Sequence, residues 1–104
     1  MPDSYRVIFS DEALQNIKSI ARHIREESPL AAASVAESLL DAVDSLELMP
    51  ARFRRVGTSR KRGNPVHACV VRPFIIYYGI DELRKAVHIL VIVHGRRRQP
   101  RRFD

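Results

Sequence analysis

Arginine carries most of the chemistry available to this 104-residue chain, and it is grouped rather than scattered. Arg52, Arg54, Arg55, Arg60, Lys61, Arg62 and Arg72 stand between Pro50 and Ile80 with no Asp or Glu among them, and Arg96, Arg97, Arg98, Arg101 and Arg102 follow towards the end. A guanidinium offers a planar fork of donors that matches phosphate or carboxylate. Two one-signed clusters therefore call for a polyanionic partner, either nucleic acid or an acidic protein. His94 stands beside the second cluster, and an imidazole can take or give a proton near neutral pH. With Arg72 and Arg96 supplying charge and Tyr78 an aromatic hydroxyl, His94 would complete a set able to cleave a phosphodiester without metal. Tyr77 and Tyr78 alternate in direction along a strand, so one should face the core and the other can stack on a base.

Other chemistries find no support. The absence of a carboxylate between Pro50 and Ile80 means that a nuclease here would rely on His or Tyr as its base, which weighs against an enzyme. No Gly-rich phosphate loop, nucleophile elbow or cluster of His with carboxylates can be found, so neither cofactor nor metal is expected. Cys69 is the only cysteine, which rules out an internal disulfide and a zinc site of paired thiolates. Its neighbours Ala68, Val70 and Val71 give it the role of a small buried apolar residue. His88, between Val87 and Ile89, reads as structural, and His23 carries no signal. No apolar run approaches the roughly 20 residues of a membrane span, and Met1, Pro2 and Asp3 do not open a leader, so a cytoplasmic protein without membrane contact is expected.

The elements that position these residues follow from patterning. With 45% apolar residues the chain can close one core, and we read 1–104 as one domain in which 95–104 forms a basic tail. The charge is divided along its length: residues 1–49 hold four basic against nine acidic side chains, and residues 50–104 fourteen against three. Tyr5 to Phe9 predicts a strand. Ser10 is an N-cap followed by Asp11 and Glu12, and Leu14, Ile17, Ile20, Ala21 and Ile24 draw an apolar stripe to about Glu27. Ser28 and Pro29 end that helix and begin another, whose stripe of Ala32, Val35, Ala36, Leu39, Val43 and Leu46 runs until Pro50 closes it after Met49. Residues 51–65 read as an exposed basic loop with room for a short strand. Val66 to Val71, Phe74 to Ile80 and Ala86 to Val93 are β-rich runs joined by short turns, which predicts an antiparallel meander. Val87 to Val93 is apolar on both alternations and so should be the central strand. The predicted class is α+β, in the order β-α-α-β-β-β, with a helix hairpin packed on an antiparallel sheet. The segment 95–104, broken by Pro100 and crowded with like charges, should add little to the core and stay mobile without a partner.

The wording of the C-terminal part is more specific than the element order. Val70, Val71, Arg72, Pro73, Phe74, Ile75, Ile76, Tyr77, Tyr78 and the closing Val87 to Val93 with His94, Gly95, Arg96, Arg97 resemble the RelE/ParE toxins of type II toxin-antitoxin systems. Leu48, Met49, Pro50 before an arginine-rich loop fits as well. The wording is closest to ParE. One position departs: the arginine usual seven residues before the strand aromatic is His67 here, with Phe74 as the aromatic. The resemblance implies either of two activities, since RelE-type members cleave messenger RNA in the ribosomal A site and ParE-type members inhibit DNA gyrase by trapping its cleaved DNA complex. It also implies neutralisation by an antitoxin. We expect a ParE-like gyrase inhibitor with an acidic ParD-like antitoxin. A RelE-like ribosome-dependent mRNA endoribonuclease is the alternative, and a non-toxic nucleic-acid-binding module a third. The surface for target or antitoxin is expected at Arg52, Arg54, Arg55, Arg60, Lys61, Arg62, Arg72, Arg96, Arg97 and Arg98. A ribonuclease would use His94, Arg72, Arg96 and Tyr78.

Overall fold

Two serines punctuate the N-terminal half as their chemistry requires. The Ser10 hydroxyl accepts the Ala13 amide at 3.0 Å and opens the first helix. Ser28 does two jobs: its amide donates to Ile24 O at 2.7 Å, closing that helix, while its hydroxyl accepts the Ala31 amide at 3.3 Å, opening the next. The computed structural model describes residues 4–103, so expectations touching Met1–Asp3 and Asp104 lie outside the described residues. In chain order the elements are β1 (Arg6–Phe9), α1 (Asp11–Glu27), α2 (Pro29–Ser45), a 3₁₀ turn (Pro50–Arg52), β2 (Arg54–Thr58), β3 (Pro65–Val71), β4 (Phe74–Asp81) and β5 (Ala86–His94). The α+β hairpin-on-sheet class is as the sequence predicts, with a fifth strand, β2, formed inside the basic loop.

The sheet order is β1-β5-β4-β3-β2. β2 to β5 form the predicted antiparallel meander, but β1 pairs with β5 in parallel, Arg6 opposite Ala86 and Phe9 opposite Ile89, which makes the sheet mixed. No tight turn ties β1 to its neighbour, because the whole helix hairpin intervenes. β5 lies inside the sheet, as its two apolar faces require, although the middle place belongs to β4.

The helices cover one face. Ala13, Leu39, Val43 and Leu46 pack there on Cys69, Phe74, Ile76, Tyr78, Ile80, Val87, Ile89 and Ile92. The α1 stripe matches the predicted one at Ile17, Ile20 and Ile24 and differs at its start, where Ala13, which continues them at helical spacing, is fully buried while Leu14 is 43% exposed. α2 stops at Ser45, earlier than predicted, since Leu46 buries itself in the core and Glu47 O turns to accept the Tyr5 amide at 2.7 Å.

The opposite face carries a second apolar cluster of Val66, Tyr77 and Phe103, with Ala68, Ile75, Leu90, Val91 and Val93 around it. This corrects the reading of the C-terminal segment as a mobile tail that adds little to the core. Phe103 is only 6% exposed, lies 5.3 Å from the Tyr77 ring, and forms a bridge with Ser59. A bare sheet face of this size would leave its apolar side chains wet, and one aromatic ring covers the middle of it.

Candidate polyanion interface

The docked C-terminal segment brings together two basic clusters that are far apart in sequence. Its path begins where Gly95 N donates to Pro73 O at 2.8 Å, at the β3–β4 turn that holds Arg72. Gln99 then fastens it: Nε2 donates to His94 O at 3.1 Å and Arg97 O at 2.7 Å, and Oε1 accepts the Tyr77 hydroxyl at 2.6 Å. The path ends where Arg60 N donates to Phe103 O at 2.7 Å. Arg101 and Arg102 are therefore delivered beside Arg60, Lys61 and Arg62, all exposed. Sequence reading found both clusters but missed their union, whose one available signal was Phe103 at the end of a polar stretch.

The individual arginines differ in role. Arg52 is held by Ser45 O at 3.0 Å and Ser45 Oγ at 2.6 Å, with its guanidinium 4.6 Å above the Phe53 ring, so it caps the C-terminus of α2. Arg55 folds onto Gly57 O at 3.3 Å and Thr58 Oγ1 at 3.1 Å. Arg54, Arg60, Lys61, Arg62, Arg72, Arg96, Arg97 and Arg98 are exposed.

The residues expected for RNA cleavage do not converge. Tyr78 is fully buried on the helix side, where its hydroxyl donates to Pro50 O and its ring stacks on His67 at 5.8 Å. Burial holds its phenol well above the ordinary range, so neither stacking on a base nor proton transfer suits it. Tyr77 does not reach solvent either, being covered by Phe103 and Gln99. Arg72 stands on the β3–β4 turn. His94 is half-buried, edge-on to Phe74 at 5.6 Å, and its Nδ1 accepts the Arg96 amide at 3.0 Å, which leaves Nε2 as the nitrogen able to carry a proton outward. His67, at the position where the resemblance leads one to look for arginine, is used structurally, with Nδ1 2.7 Å from Phe53 O.

His94 does meet other polar groups that sequence reading passed over. A cleft of about 420 Å³ between α1 and the end of β5 is lined by Asn16, Ser19, His23, Glu27, Phe74, His94 and Arg97 among others. His23 Nε2 lies 3.7 Å from Glu27 Oε1 across one helical turn, and both side chains are largely exposed. His88 sits on the outer face opposite Gly79, with its Nε2 buried and without a hydrogen-bond partner among the described residues. Burial, then the Arg62 charge, lowers its pKa. Among the described residues no group of three His, Cys, Asp or Glu is arranged to hold a metal ion, and no helix is long and apolar enough to cross a membrane.

A helix hairpin on one face of a small mixed sheet, with exposed arginines on the β2–β3 and β3–β4 connections and the C-terminal segment, is the architecture expected of a RelE/ParE-like domain. Comparison with known proteins agrees. The profile of the family described as the ParE toxin of the type II toxin-antitoxin system parDE matches residues 7–99. A relative from Caulobacter vibrioides, Toxin RelE2, is 38% identical over 93 residues, covering 88% of this chain and 97% of its own. Among solved structures, the chromosomal ParDE toxin-antitoxin system from P. aeruginosa superposes with a TM-score of 0.65 at 18% identity, covering 88% of this chain and 97% of the other. The RelBE2 toxin-antitoxin complex from Mycobacterium tuberculosis gives a TM-score of 0.56 at 24% identity, covering 88% and 91%. The archaeal RelE-RelB complex from Pyrococcus horikoshii gives 0.65 at 15%, covering 91% and 99%. The chain belongs to the ParE/RelE family of type II toxin-antitoxin toxins.

Proposed function

We propose that this chain is a ParE-like toxin that inhibits DNA gyrase in the cytoplasm and is neutralised by a cognate acidic, ParD-like antitoxin. The sealing of Tyr78 in the core carries this reading: the expected ribonuclease set loses its aromatic hydroxyl, while the arginines that hold a polyanion stay exposed. A surface rich in charge and poor in proton acceptors suits binding better than cleavage. The match to the ParE family supports the same choice. For the antitoxin, exposed Leu14, Leu30, Leu40, Leu48 and Met49 on and just after the hairpin supply an apolar track, and Arg54 on the edge strand β2 supplies charge for an acidic segment that folds on binding.

A RelE-like endoribonuclease is the second reading, favoured by the cleft that places His23, Glu27, Arg97 and His94 around one hollow. The two separate in vitro. Incubated with gyrase, ATP and supercoiled plasmid, the gyrase inhibitor makes linear plasmid accumulate and leaves ribosome-bound transcripts intact. Cut transcripts with unaffected gyrase would establish the ribonuclease, and then His94→Gln should abolish cutting. A chain that does neither yet binds nucleic acid is a non-toxic nucleic-acid-binding module.

A further inference from the structure

We infer that the outer sheet face and the C-terminal segment docked across it form one continuous surface for the phosphate backbone of a nucleic-acid duplex, read without regard to base sequence. The inference does not depend on whether gyrase or the ribosome is the target. Its basis is the joining of two clusters by Phe103. Arg96 and Arg98 stand at the Pro73 end of the sheet, with Arg97 lining the cleft beside α1 instead, and Arg101 and Arg102 reach the Ser59 end beside Arg60, Lys61 and Arg62. Between those ends runs β4, whose eight residues span about 26 Å at ~3.3 Å each. That length matches seven or eight base pairs of duplex at ~3.4 Å per step.

Carboxylates are few on this side. Glu12 borders a hollow of about 280 Å³ that Arg98 and Arg102 also line, and Asp81 is tied to Arg84 at 3.1 Å. Phosphate is favoured over an acidic protein because a protein partner also needs apolar surface. Among the described residues, five of the nine large exposed apolar side chains lie on or just after the hairpin, whereas those elsewhere, Ile8, Val56, Val70 and Leu83, are spread over β1, β2, β3 and the β4–β5 turn. The cations are nearly all arginine, whose fork binds phosphate in two places at once.

The test uses the purified chain and a labelled 20-base-pair duplex of arbitrary sequence, with anisotropy followed across salt concentrations and gyrase left out, so that failure here leaves the gyrase reading untouched. About five phosphate contacts give a slope of log K against log salt near −4.5, a loss of roughly 500-fold between 50 and 200 mM. Arg60→Gln with Arg62→Gln, and separately Arg101→Gln with Arg102→Gln, should each make the slope shallower by about two. Phe103→Ala, checked for fold by circular dichroism, should do the same by unseating the segment. If that variant unfolds, the Arg101 and Arg102 pair carries the test. A wild-type slope shallower than about −2, or unchanged slopes in the folded Gln variants, overturns the inference. Polyglutamate of similar charge bound as tightly as the duplex overturns it too, in favour of an acidic protein.

Discussion

Replacing Phe103 by Ala isolates the energetic weight of a segment that is polar in composition yet closes one face of the sheet. The ring is 6% exposed, stacks at a tilt 5.3 Å from Tyr77, and sits so close to Gly57 that a β-carbon there would stand 3.1 Å from its Cε2. Truncating a buried phenylalanine costs about 3–5 kcal/mol in an enclosed core. A covering segment can relax more than a core can, so we expect the lower end, about 3 kcal/mol, part of it from wetting Val66 and Tyr77. For a domain of this size each kcal/mol moves the midpoint by about 4–8 °C, so Tm should fall by about 12–24 °C. Urea unfolding with an unchanged m-value measures the same loss. Gly57→Ala supplies the control. It should cost about 1–2 kcal/mol in the wild type by pushing the ring, and only a few tenths once Phe103 is Ala. A loss below about 1 kcal/mol for Phe103→Ala, or an equal cost of Gly57→Ala in both backgrounds, would refute the reasoning.

Three further outcomes are expected. Tyr78→Phe removes a hydroxyl that donates to Pro50 O inside the core, so urea unfolding should show a loss of about 1–2 kcal/mol while toxicity to expressing cells persists; a stable but harmless variant would return Tyr78 to the functional site. His88 has a pKa lowered in the folded chain, so the unfolded chain binds the extra proton first: stability should be full above the ordinary value of 6.5 and decline as pH falls below it, and His88→Leu should flatten that part of the pH–stability curve. Changing Arg96, Arg97 and Arg98 together to Ala should leave thermal unfolding within a few degrees, since all three are exposed, and abolish growth arrest; full toxicity in the folded variant would leave residues 52–62 as the basic candidate.

The sequence made the meander and the hairpin legible because local rules govern them. Ser10 and Ser28 announce helix ends whatever the fold, and the two-faced apolar run of β5 admits only an interior place. Parallel pairing of β1 and the seating of Phe103 were not legible, because each depends on a partner distant in sequence. The α1 stripe was legible from Ile17 to Ile24 and misread only at its start, where Ala13 rather than the more hydrophobic Leu14 is buried. At the candidate site, composition located the arginines, while their sorting into Arg52 as a helix cap and Arg60 as a neighbour of Phe103 needed coordinates. Glu27 escaped notice because charge on a helix face is common, and its place near His94 follows from packing alone.

The pairing of β1 with β5 also sets the order in which this molecule can be assembled. Arg6 and Val7 must wait for Ala86 and Val87, so β1 has no strand neighbour until some eighty further residues have been made. Closing so large a loop before any contact rewards it is entropically costly and slow. Until then α1 and α2 lack Val87, Ile89 and Ile92, part of the surface on which they pack. A chain without β5 therefore cannot complete its sheet, and its apolar surface stays open to chaperones and proteases.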